Sequence, residues 1–233
     1  SDPYALRRNL NGVIQVIWQY DFNLKIDKFV SDLINYWDFR LSDLSLDTKK
    51  IEFELLEFIK QRIISHLEEL NYEKDKINSI ACSEYIDNHR IFDIQDLKKR
   101  IRVLNEIKSS DYSAEFINII SRFSKLAKNG NLNIETLSSL SQIKTSLFEK
   151  ESEFKVFEFI EQVELLLTSK SWEYDELVTL FKRNLKILEN LFDNDKGVLI
   201  MSEDTQVRKN RLNLIGLIRN YSLLIADFTL LIL

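Results

Sequence analysis

With one proline and four glycines in 233 residues, the chain has few places for tight turns. Period-two apolar runs bounded by hairpin dipeptides do not recur, which excludes a fold built from many short strands. A single cysteine, Cys82, cannot form an intrachain disulfide, so the fold must rest on its core, as is usual in a reducing cytosol. Only two histidines are present, His66 and His89, and no H-x₃-H or C-x₂-C spacing occurs, which leaves a zinc site without support. No unbroken apolar run reaches the roughly eighteen residues that a membrane span requires, and the expectation is no membrane association. The start of the chain lacks the long apolar region and cleavage site of a signal peptide, and its abrupt entry into a helical pattern reads as a piece of a longer chain.

What is abundant is apolar and charged side chains, 45% and 30% of the total, with leucine, isoleucine, glutamate and lysine prominent. These are helix formers, and the expected fold class is all-α, with short polar connections. The net charge of −5 does not favour nucleic acid as a whole-molecule partner. Binding to phosphates depends on local cation clusters, however, and an acidic chain can carry a basic track.

Apolar spacing places a helix from Asp2-Pro3 to about Tyr20, with Leu6, Leu10, Val13, Ile14 and Ile17 inward. A second runs from Asp27 to Phe39 with Phe29, Val30, Leu33, Ile34 and Trp37 inward, and a third from Thr48 to Leu70 over Ile51, Leu55, Phe58, Ile59 and Ile63. Shorter helices follow over Lys74 to Ser83 and Ile94 to Ile107. The latter holds Lys98, Lys99, Arg100 and Arg102, which helical geometry spreads around the cylinder as a solvated face. A boundary at Ser109 to Asp111 divides a first helical region, residues 1–110, from a second, residues 111–233. The second begins with a helix from Tyr112 to Lys128, closed by Asn129-Gly130 with the glycine in a left-handed cap. Residues 131–149 are polar, a variable helix or loop. An acidic helix then buries Phe154, Phe157, Ile160 and Val163, with Glu151, Glu153, Glu158 and Glu161 outward. A further helix from Asp175 to Phe192 carries Lys182, Arg183 and Lys186 on its outside.

The stretch from Leu191 to Leu231 is the most informative. Its middle reads as a helix from Ser202 to Asn220, with Glu203 and Asp204 favouring the unpaired N–H groups at its start. Val207, Leu214, Ile218 and Ile225 form its buried row, and residues 222–233 read as a docked terminal helix. Arg208, Arg211 and Arg219 are spaced at nearly whole turns and could meet one extended anion. Asp204 and Asp227 stand close enough in sequence to be their partners instead. Arg122, Lys125 and Lys128 share a second row at spacing three.

Four pieces of this stretch, LFD at Leu191–Asp193, VLIMSED at Val198–Asp204, RKNRLNLIGLIR at Arg208–Arg219 and IADFTLL at Ile225–Leu231, resemble in order and spacing the C-terminal end of the beta subunit of bacterial-type tetrameric glycyl-tRNA synthetase. That family reads FFD, V-M-V-M with acids, R-x-N-R-L and A-D-I-S-L-L there. DPYALRRNLNGVIQV at the start is similar to the family's D-P-F-A-L-R-R pattern, with Tyr4 for phenylalanine and Gly12 kept. Within the Tyr112 to Lys128 helix, Ser121-Arg122-Phe123 stands where lysine-arginine-valine is usual. The resemblance implies that residues 111–233 are an anticodon-binding helical bundle. It further implies that the partners are tRNA(Gly) and an alpha subunit in an alpha2 beta2 heterotetramer; the expected compartment is the bacterial cytoplasm, with the plastid as the alternative.

The resemblance implies that glycine is joined to tRNA at the expense of ATP, and it assigns ATP and its divalent metal to the alpha subunit. No cofactor is expected in this chain. No glycine-rich phosphate loop, nucleophile elbow, paired-carboxylate signature or synthetase ATP motif is found, so no catalytic residue is expected either. The tRNA-binding candidates are Arg208, Arg211, Arg219, Arg122, Lys125 and Lys128. The competing class is an all-helical scaffold that binds protein only.

Overall fold

The computed structural model describes residues 3–233. Nine α-helices and no strand occur among them: α1 (Leu6–Tyr20), α2 (Ile26–Arg40), α3 (Thr48–Glu69), α4 (Lys74–Ala81), α5 (Ile94–Lys108), α6 (Ser113–Ala127), α7 (Glu151–Thr168), α8 (Tyr174–Asn190) and α9 (Thr205–Leu223). The all-α expectation holds. Two compact units are present, one ending at Arg102 and the other Val103–Leu233, and the division falls inside α5.

In the first unit α3 is the central element, packing against α1, α2 and α4. Its core is aliphatic: Ile14 and Ile17 of α1, Ile26 and Val30 of α2, Ile59, Ile63 and Leu67 of α3, and Ile77 and Ile80 of α4 are all buried. The chain enters through a 3-10 turn, Pro3–Ala5, in which Tyr4 and Ala5 have φ of 68° and 54°. The continuous helix expected from Pro3 therefore starts only at Leu6; Asp2, the expected cap, lies outside the described residues. Two inward faces are narrower than their periodicity suggests. Val13 of α1 and Phe29, Leu33 and Trp37 of α2 are exposed.

The charged cluster of α5 is a solvated face only in part: Lys99 and Arg102 are exposed, Lys98 is half-buried and Arg100 turns inward. Arg100 is fully buried, donating through Nε to Asp96 at 2.7 Å and through Nη1 to the Ile80 carbonyl at 3.2 Å. Lys98 donates to the Trp18 carbonyl and pairs with Asp21. A guanidinium with five donors can close off several unpaired acceptors at once, which is why an arginine rather than a lysine sits at the buried point.

In the second unit α6 packs most extensively on α9, α7 pairs with α8, and α8 and α9 each reach across to complete the bundle. Aromatic rings fill its centre: Phe116 lies 6.0 Å from Phe181 and 5.4 Å from Phe228, and Phe159 lies 5.1 Å from Phe181. The buried face of α7 is Val156, Phe159, Ile160 and Val163. Phe154, expected inward, is half-exposed, and Glu153, expected outward, is fully buried. The C-terminal segment docks as a 3-10 turn, Phe228–Leu230, and not as the expected helix, with the Ser121 hydroxyl donating to the Phe228 carbonyl at 2.9 Å.

Residues 131–149 are a loop with one short 3-10 turn, and polar side chains of α9, with Glu153 and Glu164 of α7, meet its backbone. Asn220 Nδ2 donates to the carbonyls of Asn133 and Thr136, both at 2.8 Å; Asn213 Nδ2 donates to that of Gln142 at 2.9 Å. Tyr221 donates to Leu137 O at 3.2 Å, and burial, with the Glu164 carboxylate beside it, pushes its phenol well up. A loop this long must satisfy its backbone somewhere, and here the polar residues of a buried helix do it. Gly216 permits the approach: a Cβ there would stand 3.0 Å from Leu132 Cδ2. Gly130 likewise serves close packing, since a Cβ there would stand 3.1 Å from Leu212 Cβ, and does not take the expected left-handed cap, since no glycine among the described residues has positive φ.

Candidate nucleic-acid interface

α9 starts at Thr205, later than the expected Ser202, and Asp204, one of the two acids expected to serve its start, caps it. Its carboxylate accepts from the N–H groups of Gln206 at 2.7 Å and Val207 at 3.0 Å, and these amides hold its carboxyl below the usual range. Val207, Leu214 and Ile218 are buried as their spacing required, and so is Ile225 just beyond the helix.

The three arginines of the α9 row have different surroundings. Arg211 is 3% exposed: Nε donates to Glu153 at 2.9 Å, Nη2 to Glu149 at 2.6 Å and Nη1 to the Leu199 carbonyl at 3.1 Å. Glu153 also accepts from the backbone N–H groups of Glu149 and Lys150, so one carboxylate both caps α7 and holds α9. Arg219 is 6% exposed and donates to Asn220 Oδ1 and the Leu132 carbonyl. Only Arg208 of this row is half-exposed, with Nη1 on the Ser202 carbonyl at 3.2 Å.

Of the α6 row, Arg122, Lys125 and Lys128 are all exposed. Arg122 stands over the Phe192 ring, 4.4 Å from its centroid, and shares a cavity wall with Arg211. The six candidates therefore do not form one surface. Arg208 lines a groove on one side of α9, Arg122 a cavity on another, and Arg211 and Arg219 are internal.

The groove holding Arg208 has a volume of about 560 Å³ and lies between the N-terminal half of α9 and residues 129–142. Lys209 lines it, together with Asn129, Asn131, Asn133, Gln142 and Asn213. A second recess, about 270 Å³, continues from Lys209, Gln142 and Asn213 to Lys144. Asn210 fixes the backbone of Lys144 against α9, donating to its carbonyl at 3.0 Å and accepting from its N–H at 2.8 Å. No carboxylate among the described residues lines either recess. In a chain of net charge −5, a groove and an adjoining recess that share three cations and several amides are the feature suited to an anionic ligand with hydrogen-bonding edges.

Lys144, Lys209 and the amides were not among the sequence candidates. A helical-row search cannot find Lys144 or the asparagines of residues 129–133, because these partners of α9 come from a loop; Lys209 adjoins Arg208 on α9 itself. The asparagine-rich run at residues 129–133 was the available signal.

Residues 1–82 match the family model described as glycyl-tRNA synthetase beta subunit. Over 98% of its length the chain is similar to glycine–tRNA ligase beta subunits: 30% identical over 236 residues to that of Trichodesmium erythraeum, 32% over 235 to that of Gloeothece citriformis and 24% over 231 to that of Clostridioides difficile. It covers 32%, 32% and 30% of those proteins, so the chain spans about a third of the length of the curated relatives it matches. The family match covers α1 to α4 and the relatives' similarity extends over the groove on α9. Both the family match and the relatives' similarity point to one family, that of the glycyl-tRNA synthetase beta subunit.

Proposed function

We propose that this chain is the tRNA-binding part of a glycine–tRNA ligase beta subunit, supporting the ATP-dependent attachment of glycine to tRNA(Gly) by an alpha subunit in the cytoplasm. The second unit is the anticodon-binding bundle on this reading, and the assembly is an alpha2 beta2 heterotetramer. ATP and its metal ion belong to the alpha subunit, and the chain carries no cofactor of its own.

The observation that carries the reading is the carboxylate-free groove lined by Arg208, Lys209 and Lys144. Phosphates would meet the cations, and the amides of Asn131, Asn133 and Gln142 present both donors and acceptors to sugar or base edges. Arg211 and Arg219 act from inside, holding α9 and the 131–149 loop in the positions that make the groove.

A gel-shift with tRNA tests it. A complex at low salt that weakens at high salt is the expected outcome. No complex at low salt would turn the reading to the protein-only scaffold. That alternative has its own observation in the first unit, where Val13, Val16, Phe29, Tyr36 and Trp37 are all about half exposed.

A further inference from the structure

We propose that the cavity at the N-terminal end of α7 binds a small phosphate monoester, with the phosphate on the first turn of the helix and the hydroxyls of the ester toward Glu151 and Asp195. The proposal does not depend on the tRNA-binding reading, and the cavity shares no lining residue with the α9 groove.

The cavity has a volume of about 600 Å³ and lies between the start of α7, the last turn of α8 and the turn that follows it. Glu153, fully buried, turns its carboxylate back to accept from the N–H groups of Glu149 and Lys150, which precede the helix. The N–H groups of Glu151 and Ser152, the first two of α7, meet no acceptor among the described residues. A helix start leaves such donors open and adds the positive end of its dipole.

Ser152 makes this more than a helix end. It is 8% exposed, lines the cavity, and its hydroxyl is buried without a hydrogen-bond partner among the described residues. A buried hydroxyl left unpaired costs free energy, and a phosphate oxygen seated on the first turn of α7 would accept from it.

Three lysines bring positive charge to the same space. Lys196 is exposed, and its ammonium makes no hydrogen bond among the described residues. Lys150 donates to the Asp195 carbonyl at 3.0 Å, and Lys155 stands 3.6 Å from Glu151 in an exposed pair that solvent screens. An ammonium has three donors, so both keep hydrogens for a ligand.

The two carboxylates that line the cavity, Glu151 and Asp195, decide which phosphate fits. A polynucleotide carries a charge at every residue and would meet them together with Glu158 and Glu161, exposed further along the same helix. A monoester confines its charge to one group. Ionised carboxylates only accept hydrogen bonds, so Glu151 and Asp195 suit the hydroxyls of a sugar, while Asn190 offers both a donor and an acceptor. Small-molecule sites span about 300–1,000 Å³, and this cavity leaves room beyond a bare phosphate ion.

The test is isothermal titration calorimetry of the intact chain with ribose 5-phosphate, ribose and inorganic phosphate, at one ionic strength set with chloride. Ribose 5-phosphate should bind, inorganic phosphate should bind more weakly, and ribose should not bind. Ser152→Ala should weaken ribose 5-phosphate about tenfold, as loss of one hydrogen bond to a charged group does, while melting no lower than the parent. Lys196→Ala, a surface change, should weaken it by a similar factor, and Arg208→Ala should leave it unchanged. The affinity for tRNA should stay as in the parent in both Ser152→Ala and Lys196→Ala.

No binding of ribose 5-phosphate at millimolar concentration, or parent-like affinity in Lys196→Ala or in a folded Ser152→Ala, would overturn the proposal. Should Ser152→Ala fail to fold, Lys196→Ala decides alone. Equal affinity for inorganic phosphate would remove the ester from the proposal, and loss of binding in Arg208→Ala would move the ligand to the groove. Weakened tRNA binding in Lys196→Ala, with tRNA displacing ribose 5-phosphate from the parent, would assign the cavity to an RNA phosphate instead.

Discussion

Arg208 and Arg211 stand three residues apart on one helix and do different work, which makes them the pair for a test of single side chains. Arg211 sits between Glu149 and Glu153 with its side chain 4% exposed. Removing one partner of a buried pair leaves the other charged and unpaired, so Arg211→Ala should cost about 3–5 kcal/mol in denaturant unfolding. Arg208→Ala removes a half-exposed side chain and should change stability by no more than about 0.5 kcal/mol. Equal effects from the two would contradict the assignment. His66 offers a pH test in the first unit. It is buried against the edge of Trp18 at 5.5 Å, neither ring nitrogen has a hydrogen-bond partner among the described residues, and burial lowers its pKa. With the folded value depressed, its contribution is complete above the ordinary histidine pKa of about 6.5 and is lost as pH falls below it. His66→Phe should therefore flatten the stability profile between pH 7 and pH 5, and a profile as steep as the parent's would remove His66 as its source.

The helices themselves were legible in the sequence, because four-three spacing of isoleucine, leucine and valine defines a buried stripe wherever a neighbour exists to cover it. Val207, Leu214 and Ile218 show this on α9. What was not legible is which polar residues turn inward. Glu153 and Arg211 lie 58 positions apart and each looks like a surface charge in its own helix. Only the meeting of α7 and α9 makes both internal. The same holds for Asn213 and Asn220, whose partners are backbone carbonyls of the 131–149 loop, and periodicity carries no information about those. The site was half legible: Arg208 and Arg122 line the recesses and Lys209 adjoins Arg208 on α9, while Lys144 and Phe192 come from tertiary placement. The loop's dependence on α9 yields a prediction for the element. Gly216→Val puts atoms where Leu132 already stands and should cost about 1–3 kcal/mol. Asn220→Ala leaves the carbonyls of Asn133 and Thr136 without its amide and should cost a similar amount, about 1–3 kcal/mol. Limited proteolysis should then cut both variants within residues 131–149 faster than the parent; unchanged cleavage would mean that α9 does not hold the loop.

At the scale of the whole chain, the net charge of −5 opposes association with a polyanion, and the local distribution of charge decides the outcome. Arg208, Lys209 and Lys144 collect where no carboxylate lines the wall, while the acids of α7 at Glu151, Glu158 and Glu161 are exposed. Such a molecule should bind tRNA in one orientation and with a steep dependence on salt. The most direct measurement is the slope of log affinity against log salt for tRNA, taken for the parent chain and for the Arg208→Ala/Lys209→Ala double variant. Each phosphate contact contributes about 0.7–0.9 to that slope, so the double variant should bind more weakly with a slope smaller by roughly 1.4–1.8, while melting as the parent does. An unchanged slope and affinity in a folded double variant would contradict the account and remove the α9 groove from the tRNA-binding surface.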